Sequence, residues 1–350
     1  MSSGAPDFTF VFPGDPETLT GGYTYGRRIV AACQALGAAV EILALPNGYP
    51  VPDAENLART EDIIDAIPDD TLVVFDGLAF SALPALVAKH ASRLRFVALV
   101  HHPLADETGV PAEKRWHFFE SEKDSLSHAK SVIVSSPFTK IRLKDFGVEP
   151  DRCHVVEPGI DTAPFNDIRD NADPVRLLYV ASLTERKGHL DLFEALHTLN
   201  SSHWVLDLVG PADLAPEYGA KVLEAAKAFG ASVHYHGPLP ESALADLYRE
   251  ADLYVSPAKY EGYGMALASA VVYGMPIIAV DGGAVATTPA GHAANLVPVD
   301  DPAMLAQALR QAITDPSERQ RLAQRSRETR AGLNDWTDAG RKFLTALKSV

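Results

Sequence analysis

Short apolar runs alternate with longer amphipathic stretches along most of the chain. The runs are bounded by Gly, Pro, Asp or Ser, which is typical of strands buried in a parallel sheet. The stretches between them have the helical spacing of apolar positions. The predicted strands are residues 8–12, 40–45, 72–75, 96–100, 131–134, 176–181, 204–209, 233–236, 253–255 and 277–280. This rhythm predicts two α/β halves of six or seven strands each.

A polar segment separates the two halves. Residues 164–174 contain few apolar positions, which indicates a linker. Two α/β halves joined by a linker imply a cleft between them. Trp336, Phe343 and Leu347 form an apolar stripe on the last predicted helix.

Composition narrows the class of protein. The chain has 350 residues, 47% of them hydrophobic, and a formal net charge of −15. Such an acidic chain is a poor candidate for nucleic-acid binding, so no nucleic-acid partner is expected.

Neither a signal peptide nor an apolar run long enough for a membrane span is apparent, which predicts a cytoplasmic protein. Peripheral contact with the inner membrane face stays open. Cys33 and Cys153 form no metal or disulfide pattern and are expected in the core.

The most informative stretch is residues 252–283. A predicted strand ends at Pro257, and the loop Glu261-Gly262-Tyr263-Gly264 precedes a helix that begins at Met265. The first NH groups of a helix have no partner within it, so a phosphate could bind there. The carboxylate of Glu261 could accept hydrogen bonds from sugar hydroxyls. The same pattern also fits an ordinary strand–loop–helix of an α/β domain.

Other candidate residues follow strands of the first half. Gly21 and Gly22 open a helix after the first strand and could offer NH groups to a diphosphate, or form a plain helix start. His101 and His102 end another strand, and a pair of adjacent histidines there favours a site. The loop with Asp106 and Glu107 is expected either to contact an acceptor or to be solvated.

A basic run follows the strand at residues 131–134. Lys140, Arg142 and Lys144 lie on one predicted helix. We expect them to form a solvated face rather than a lipid or nucleic-acid contact.

These motifs, taken in order, resemble the retaining glycosyltransferases of family 4. The order is a Gly-Gly loop, a strand-end His, Pro158-Gly159, Lys187-Gly188, a Gly-Pro-Leu-Pro segment and Glu-Gly-Tyr-Gly. The resemblance implies the GT-B fold, an α/β fold with two Rossmann-like doubly wound domains facing across a cleft. It implies an acceptor-side domain at residues 1–165, joined by a C-terminal helix at 334–350, and a nucleotide-sugar domain at 172–332.

The resemblance also implies roles for individual residues. Lys187 would grip the donor diphosphate, while Ser182 stands at the family's Arg position and Arg186 could compensate. Glu261 would orient the sugar, and Ser269 stands where the family has its second Glu. One of His101 and His102 would lie near the donor sugar and acceptor, and Gly21-Gly22 would close over the phosphates. The remaining implied donor-binding residues are Gly210, Pro238, Leu239, Gly262, Tyr263, Gly264 and Met265.

The reaction implied is sugar transfer from a nucleotide-diphosphate-sugar donor to an acceptor hydroxyl, with retention. The acceptor would be a carbohydrate or a lipid-linked molecule, and a glycan, a glycolipid and a small molecule all stay open. No cofactor and no metal are expected. Two alternatives keep the fold: a sugar-nucleotide binder without transfer activity, and an epimerase.

Overall fold

The structure is a computed structural model that describes residues 5–170, 172–199 and 203–350. It divides into two compact units. The first unit runs to Gly159 and includes Asn334–Val350, and the second comprises Ile160–Leu333. The boundary between Gly159 and Ile160 falls a few residues before the expected boundary at residue 165. The reason is that Ile160 and Ala163 pack against the core of the second unit.

The first unit contains a parallel sheet with the strand order β2-β1-β3-β4-β5-β6. Every strand pair in it is parallel, so each connection crosses over and the carboxyl ends lie along one edge. Its elements up to Gly159 are β1 Phe8–Phe12, α1 Gly21–Ala35, β2 Val40–Ala44, α2 Ala54–Asp65, β3 Leu72–Asp76, α3 Gly77–Phe80, α4 Pro84–His90, β4 Arg95–Val100, α5 Ala112–Ser127, β5 Ser131–Val134, α6 Pro137–Arg142 and β6 Cys153–Val155.

The second unit repeats the architecture with the strand order β12-β11-β10-β7-β8-β9. Two clusters of buried apolar residues cover the two faces of its sheet. Its elements are β7 Val175–Val180, α7 His189–His197, β8 Trp204–Val209, α8 Pro216–Ala226, β9 Val233–Tyr235, α9 Glu241–Glu250, β10 Leu253–Ser256, α10 Met265–Val272, β11 Ile277–Val280, α11 Pro289–Ala293, β12 Asn295–Val297, α12 Pro302–Thr314 and α13 Pro316–Thr329.

The last helix, α14 Trp336–Leu347, packs in the first unit. Asp335 caps it by accepting a hydrogen bond from the NH of Asp338. The ring of Phe343 lies 6.1 Å from that of Phe8. A Cβ at Gly159 would lie 2.4 Å from the backbone of Trp336, so this approach requires glycine.

All ten predicted strands are present, with ends that differ by at most a residue or so. Strands β1 and β3 are buried at every position because both faces of the sheet are covered, which explains their unbroken apolar runs. Sequence reasoning missed the short strands β6 and β12. Two short helices, α3 and α4, connect β3 to β4, and Pro84 begins α4 after a turn. Both cysteines are buried and free, as expected.

Helix α5 carries a buried carboxyl group. Glu122 is 1% exposed and accepts hydrogen bonds from the Ser81 hydroxyl at 2.8 Å and the Leu104 NH at 2.9 Å. Burial raises the pKa of Glu122 to about 8, although these hydrogen bonds oppose the shift. The carboxyl group therefore ties α5 to the segment that follows β4.

Glu122→Gln should change how the stability of the protein depends on pH. Between the ordinary pKa of a Glu and about pH 8, folded Glu122 keeps a proton that the unfolded chain has released, so the free energy of unfolding falls as pH rises. The amide that replaces the carboxyl group does not titrate. From pH 5 to pH 8 the variant should gain roughly 2–4 kcal/mol relative to the wild type.

Urea unfolding at several pH values would measure this difference. Glu120→Gln is the matched control, because Glu120 is exposed on the same helix. Parallel pH profiles for wild type and Glu122→Gln would contradict a buried neutral carboxyl group.

Candidate active site

The candidate site of the second unit lies where the strand order reverses. Strands β7 and β10 are adjacent and parallel, although β8 and β9 come between them in the chain. The loops after β7 and β10 therefore leave the same edge of the sheet, at the position where doubly wound sheets bind ligands. Lys187 is on the first loop and Glu261 on the second.

These two side chains form an ion pair. The Lys187 Nζ lies 2.6 Å from Oε1 of Glu261, and Arg186 Nη1 lies 3.9 Å from Oε2 of the same carboxylate. All three side chains are largely buried, with 14–15% of their surface exposed. The structure thus brings together three of the predicted site residues, of which Lys187 and Glu261 are 74 positions apart in the chain.

Hydrogen bonds fix the loop that carries Lys187. The buried hydroxyl of Tyr179, on β7, donates to the Lys187 carbonyl at 2.5 Å. Burial raises the pKa of Tyr179 far above its ordinary value, with the Glu261 charge adding to the shift, so the hydroxyl keeps its proton. The guanidinium of Arg186 donates to the Tyr260 carbonyl at 2.8 Å, which ties this loop to the one that carries Glu261. Sequence reasoning missed Tyr179.

Gly188 ends the Lys187 loop in a conformation that favours glycine. Its φ is +64°, and a Cβ there would lie 2.2 Å from the carbonyl oxygen of Pro257. The backbone of this loop therefore lies directly against the chain that leaves β10.

The helix after Glu261 begins without a side-chain cap. Gly264 precedes α10 with φ of +92° and, as a glycine, supplies no side-chain cap. The first NH groups of α10, from Met265 onward, have no partner within the helix and have the geometry that suits an anion. The Ser269 hydroxyl donates to the Met265 carbonyl at 3.1 Å, so it is engaged within the helix. Gly262 and Tyr263 are buried beside this turn.

The other predicted donor residues lie after β7, β8 and β9. Ser182 is half-buried and supplies no charge. Gly210 donates to the Gly237 carbonyl at 2.9 Å, which joins the loops after β8 and β9. Pro238 is exposed, whereas Leu239 packs against one of the two apolar clusters.

The first unit has a comparable arrangement at its own reversal point, between β1 and β3. Gly21 and Gly22 begin α1, whose N-cap residue Thr20 makes no side-chain hydrogen bond to the helix. A Cβ at Gly22 would lie 3.2 Å from Cδ2 of His101, so the glycine loop and the histidine are in contact. His101 Nε2 lies 3.4 Å from Oδ2 of Asp76, at the end of β3.

His102 has different surroundings. Its Nε2 lies 3.4 Å from the carboxylate of Glu107, in the segment after β4. The structure therefore separates two histidines that the sequence left equivalent. His101 lies beside the glycine loop, whereas His102 pairs with the acidic segment.

The basic run on α6 is not the solvated face that we expected. Arg142 forms a two-pronged ion pair with Asp106, with nitrogen–oxygen distances of 2.9 and 2.7 Å. Lys140 donates to the Cys153 carbonyl at 2.6 Å. The expectation was wrong for these two residues because Asp106 and the β6 backbone lie within their reach. Lys144 is exposed, as expected.

Two family models match the chain. The model described as Glycosyltransferase Family 4 matches residues 38–164, and the model described as Glycosyl transferases group 1 matches residues 162–329. The fold and the matches define a glycosyltransferase of the GT-B class. The chain belongs to the group 1 glycosyltransferases with a family 4 amino-terminal unit, which confirms the resemblance read from the motifs.

Individual relatives agree with this assignment. The chain is 29% identical to the MMP alpha-(1->4)-mannosyltransferase of Mycolicibacterium hassiacum, over 83% of this chain and 73% of the relative. It spans about half the length of two further relatives, 53% of one and 47% of the other.

Solved structures share the fold at low sequence identity. Sucrose-phosphate synthase from Thermosynechococcus elongatus superposes with a TM-score of 0.81 at 20% identity, over 97% of this chain and 98% of the other. HepE of Anabaena, solved with UDP and glucose, superposes with a TM-score of 0.78 at 15% identity, over 99% and 100%.

Across residues 5–170, 172–199 and 203–350, none of the helices combines the length and apolar character that a membrane crossing needs. In that same part of the chain, His, Cys, Asp and Glu side chains form no group of three suited to a metal ion. Metal independence stays a prediction.

The Lys187–Glu261 pair should show energetic coupling. Each single substitution, Lys187→Met or Glu261→Gln, leaves a largely buried partner without its main counter-charge, whereas the double variant removes both groups. We expect a coupling free energy of about 1–2 kcal/mol from urea unfolding of the four proteins.

The exposed pair Lys227–Glu224 provides the control. Its side chains are 72% and 74% exposed, and its coupling should stay below about 0.5 kcal/mol. Equal coupling in the two cycles would contradict a special environment for Lys187 and Glu261.

Proposed function

We propose that the chain transfers a sugar from a nucleotide-diphosphate-sugar donor to an acceptor hydroxyl, with retention and without a metal ion. The observation that carries this proposal is the Lys187–Glu261 pair at the reversal point of the second sheet. An ammonium group and a carboxylate lie side by side there, next to a helix start without a side-chain cap.

The cationic part of the site fits the leaving group. Sugar transfer from such a donor releases a nucleoside diphosphate, so negative charge builds on the diphosphate in the transition state. Lys187, Arg186 and the first NH groups of α10 supply positive charge and hydrogen bonds in fixed positions. Groups held in place in this way stabilise a developing charge without reorganising during the reaction.

The carboxylate fits the sugar. Glu261 is an acceptor of hydrogen bonds, and sugar hydroxyls are donors. Its Oε1 accepts a hydrogen bond from Lys187. A bound donor offers phosphate oxygens to Lys187 and hydroxyls to Glu261, so each group exchanges one partner for another of matching chemistry.

The motif supports retention without a covalent sugar–enzyme intermediate. Retaining glycosidases use two carboxyl groups about 5 Å apart, one of them as the nucleophile. In the Glu-Gly-Tyr-Gly segment and α10, the position of the family's second Glu is Ser269, whose hydroxyl bonds to Met265. We therefore propose attack by the acceptor oxygen on the same face from which the diphosphate leaves. The bond from the anomeric carbon to the acceptor oxygen forms as the bond to the diphosphate oxygen breaks, and the departing diphosphate oxygen takes the hydroxyl proton.

The first unit supplies the other proposed contacts. We assign the NH groups of Gly21 and Gly22 to the donor phosphates, and His101 or His102 to the transferred sugar and the acceptor. The contact between Gly22 and the His101 ring favours His101.

The relatives support the substrate class. HepE is solved with UDP and glucose, and the Mycolicibacterium hassiacum relative is a mannosyltransferase. We propose a hexose nucleotide as donor and a carbohydrate or lipid-linked acceptor, used by a cytoplasmic protein with peripheral contact at the inner membrane face.

One observation favours a second candidate, a sugar-nucleotide binder or epimerase without transfer activity. Ser182 and Ser269 replace a cation and a carboxylate of the family pattern, which removes two donor contacts. A binder would bind nucleotide sugars in calorimetry but would release no nucleotide in the presence of any acceptor.

Lys187→Ala and Glu261→Ala should each abolish sugar transfer. The first removes charge from the leaving-group site, and the second removes the hydroxyl acceptor. With a donor selected from a panel of nucleotide sugars, we expect at least a roughly 100-fold loss of kcat/KM, measured by nucleotide release. Circular dichroism should show an unchanged fold.

Lys227→Ala is the control for loss of a lysine in the same unit, and it should keep full activity. Wild-type rates in both Lys187→Ala and Glu261→Ala would sink this site assignment.

The anomeric configuration of the product should match that of the donor. Proton NMR of the transferred sugar gives the configuration directly, before any later equilibration. Turnover should also persist in excess EDTA, because ammonium, guanidinium and backbone NH groups carry the proposed charge stabilisation. An inverted product would contradict same-face attack, and a requirement for added Mg²⁺ would contradict the charge assignment.

A further inference from the structure

Asp76 is a buried carboxylate that no motif identified. It ends β3 and is 4% exposed. Its Oδ1 accepts a hydrogen bond from the NH of Leu78 at 2.9 Å and caps α3. Its Oδ2 faces Nε2 of His101 at 3.4 Å, a separation longer than that of a good hydrogen bond. Oδ1 thus caps α3, whereas Oδ2 faces the candidate histidine.

The imidazole of His101 is held from several sides. The ring of Tyr25 meets it edge-on at 5.2 Å, and Gly22 lies against its Cδ2–Nε2 edge. Tyr25 is itself fixed, because its hydroxyl donates to the Val156 carbonyl at 2.9 Å. Ser135 donates to the His101 carbonyl at 3.1 Å. Backbone and ring are therefore positioned independently.

The two ring nitrogens of His101 differ in their surroundings. Nε2 is buried and has no hydrogen-bond partner of good geometry among the described residues, with Asp76 as the carboxylate that faces it. The side chain is nevertheless 21% exposed. Since Gly22 and Asp76 cover the Nε2 edge, the open part of the ring is the edge that carries Cε1 and Nδ1.

The two phenol groups near Asp76 and His101 are neutral. The pKa of Tyr23, on α1, is raised to about 12 by burial and by the charges of Asp76 and Asp15, so its phenol stays neutral. It donates to the Pro13 carbonyl at 3.0 Å. Tyr25 is also held neutral, since burial raises its pKa. The nearby Glu107 faces His102.

We propose that Asp76 is a positioning residue that keeps the proton of His101 on Nε2, so that the Nδ1 lone pair accepts a hydrogen bond from a hydroxyl of the donor sugar or the acceptor. A carboxylate only accepts hydrogen bonds, so the nitrogen that faces it carries the hydrogen. This role rests on the proposed transferase function, and it assigns His101 rather than His102 to the reaction.

The tautomer of the ligand-free wild type is the first test. Long-range ¹H–¹⁵N NMR at about pH 7.5 distinguishes Nε2–H, Nδ1–H and doubly protonated rings, and the spectrum of His101→Gln identifies the His101 signals. We expect a neutral ring with hydrogen on Nε2. A ring with hydrogen on Nδ1, or an imidazolium, overturns the proposal without any variant of Asp76.

Asp76→Asn is the second test. Asn keeps the size of Asp and an oxygen for the Leu78 NH, but its NH₂ group faces Nε2 as a donor. The proton of His101 should therefore move to Nδ1, and kcat should fall about 100-fold with little change in the KM of the donor. An Asp76→Asn variant with the wild-type tautomer or the wild-type kcat overturns the proposal.

Asp53→Asn is the matched control. Asp53 caps α2 through the same kind of bond, from the Asn56 NH at 2.8 Å, so this variant should keep the tautomer and kcat. Asp76→Glu, which restores the charge, should recover part of the rate lost in Asp76→Asn. A wild type that releases nucleotide from no donor contradicts the proposed function and this role with it. An active wild type with the other tautomer contradicts this inference alone.

Discussion

The attraction between Lys187 and Glu261 depends on the way a parallel sheet reverses its strand order. Because every connection crosses over, the carboxyl ends of β7 and β10 lie at the same edge, and residues 74 apart in the chain meet at 2.6 Å. In antiparallel pairs the loops after two adjacent strands leave opposite ends, and the two charges would be separated. The pairing of these two charges therefore follows from the topology of the second sheet, which brings the loops after β7 and β10 together.

Backbone contacts hold the loops that carry these charges in fixed positions. Gly188 and Gly210 have positive φ, and a Cβ at either would lie 2.2 or 2.0 Å from a carbonyl oxygen of a neighbouring loop. Such close approach allows the Tyr179 hydroxyl to fix the Lys187 carbonyl. Glycine at these positions lacks the side chain that would hold two loops apart. The conformational entropy that glycine loses on folding is offset by the close packing that positions the site residues.

Sequence reasoning predicted the alternation of strands and helices because strands buried on both faces leave unbroken apolar runs. It also predicted the residues at strand ends, since the order of elements determines which loops share an edge. It missed Asp76, which faces His101, and Tyr179, which bonds to Lys187, because these contacts join different parts of the chain. It also misjudged Arg142, because a basic residue on a helix looks the same in sequence whether or not a carboxylate lies opposite. The local pattern of apolar residues predicts the fold, whereas the pairing of polar side chains from distant parts of the chain is visible only in the structure.

The two units apply the same construction to different chemistry. Each has a helix that begins beside glycine without a side-chain cap, and each has a polar pair at the carboxyl ends of two adjacent strands. In the second unit the pair is an ammonium group and a carboxylate, which suits a diphosphate and sugar hydroxyls. In the first unit it is an imidazole and a buried carboxylate, which suits a group that must present a lone pair to a hydroxyl. An ammonium group at position 101 would carry no lone pair, and an imidazole at position 187 would carry a full positive charge only when protonated. The residue types are therefore not interchangeable between the units, and the proposed assignment of charge stabilisation to the second unit and hydroxyl recognition to the first rests on which pair each unit contains.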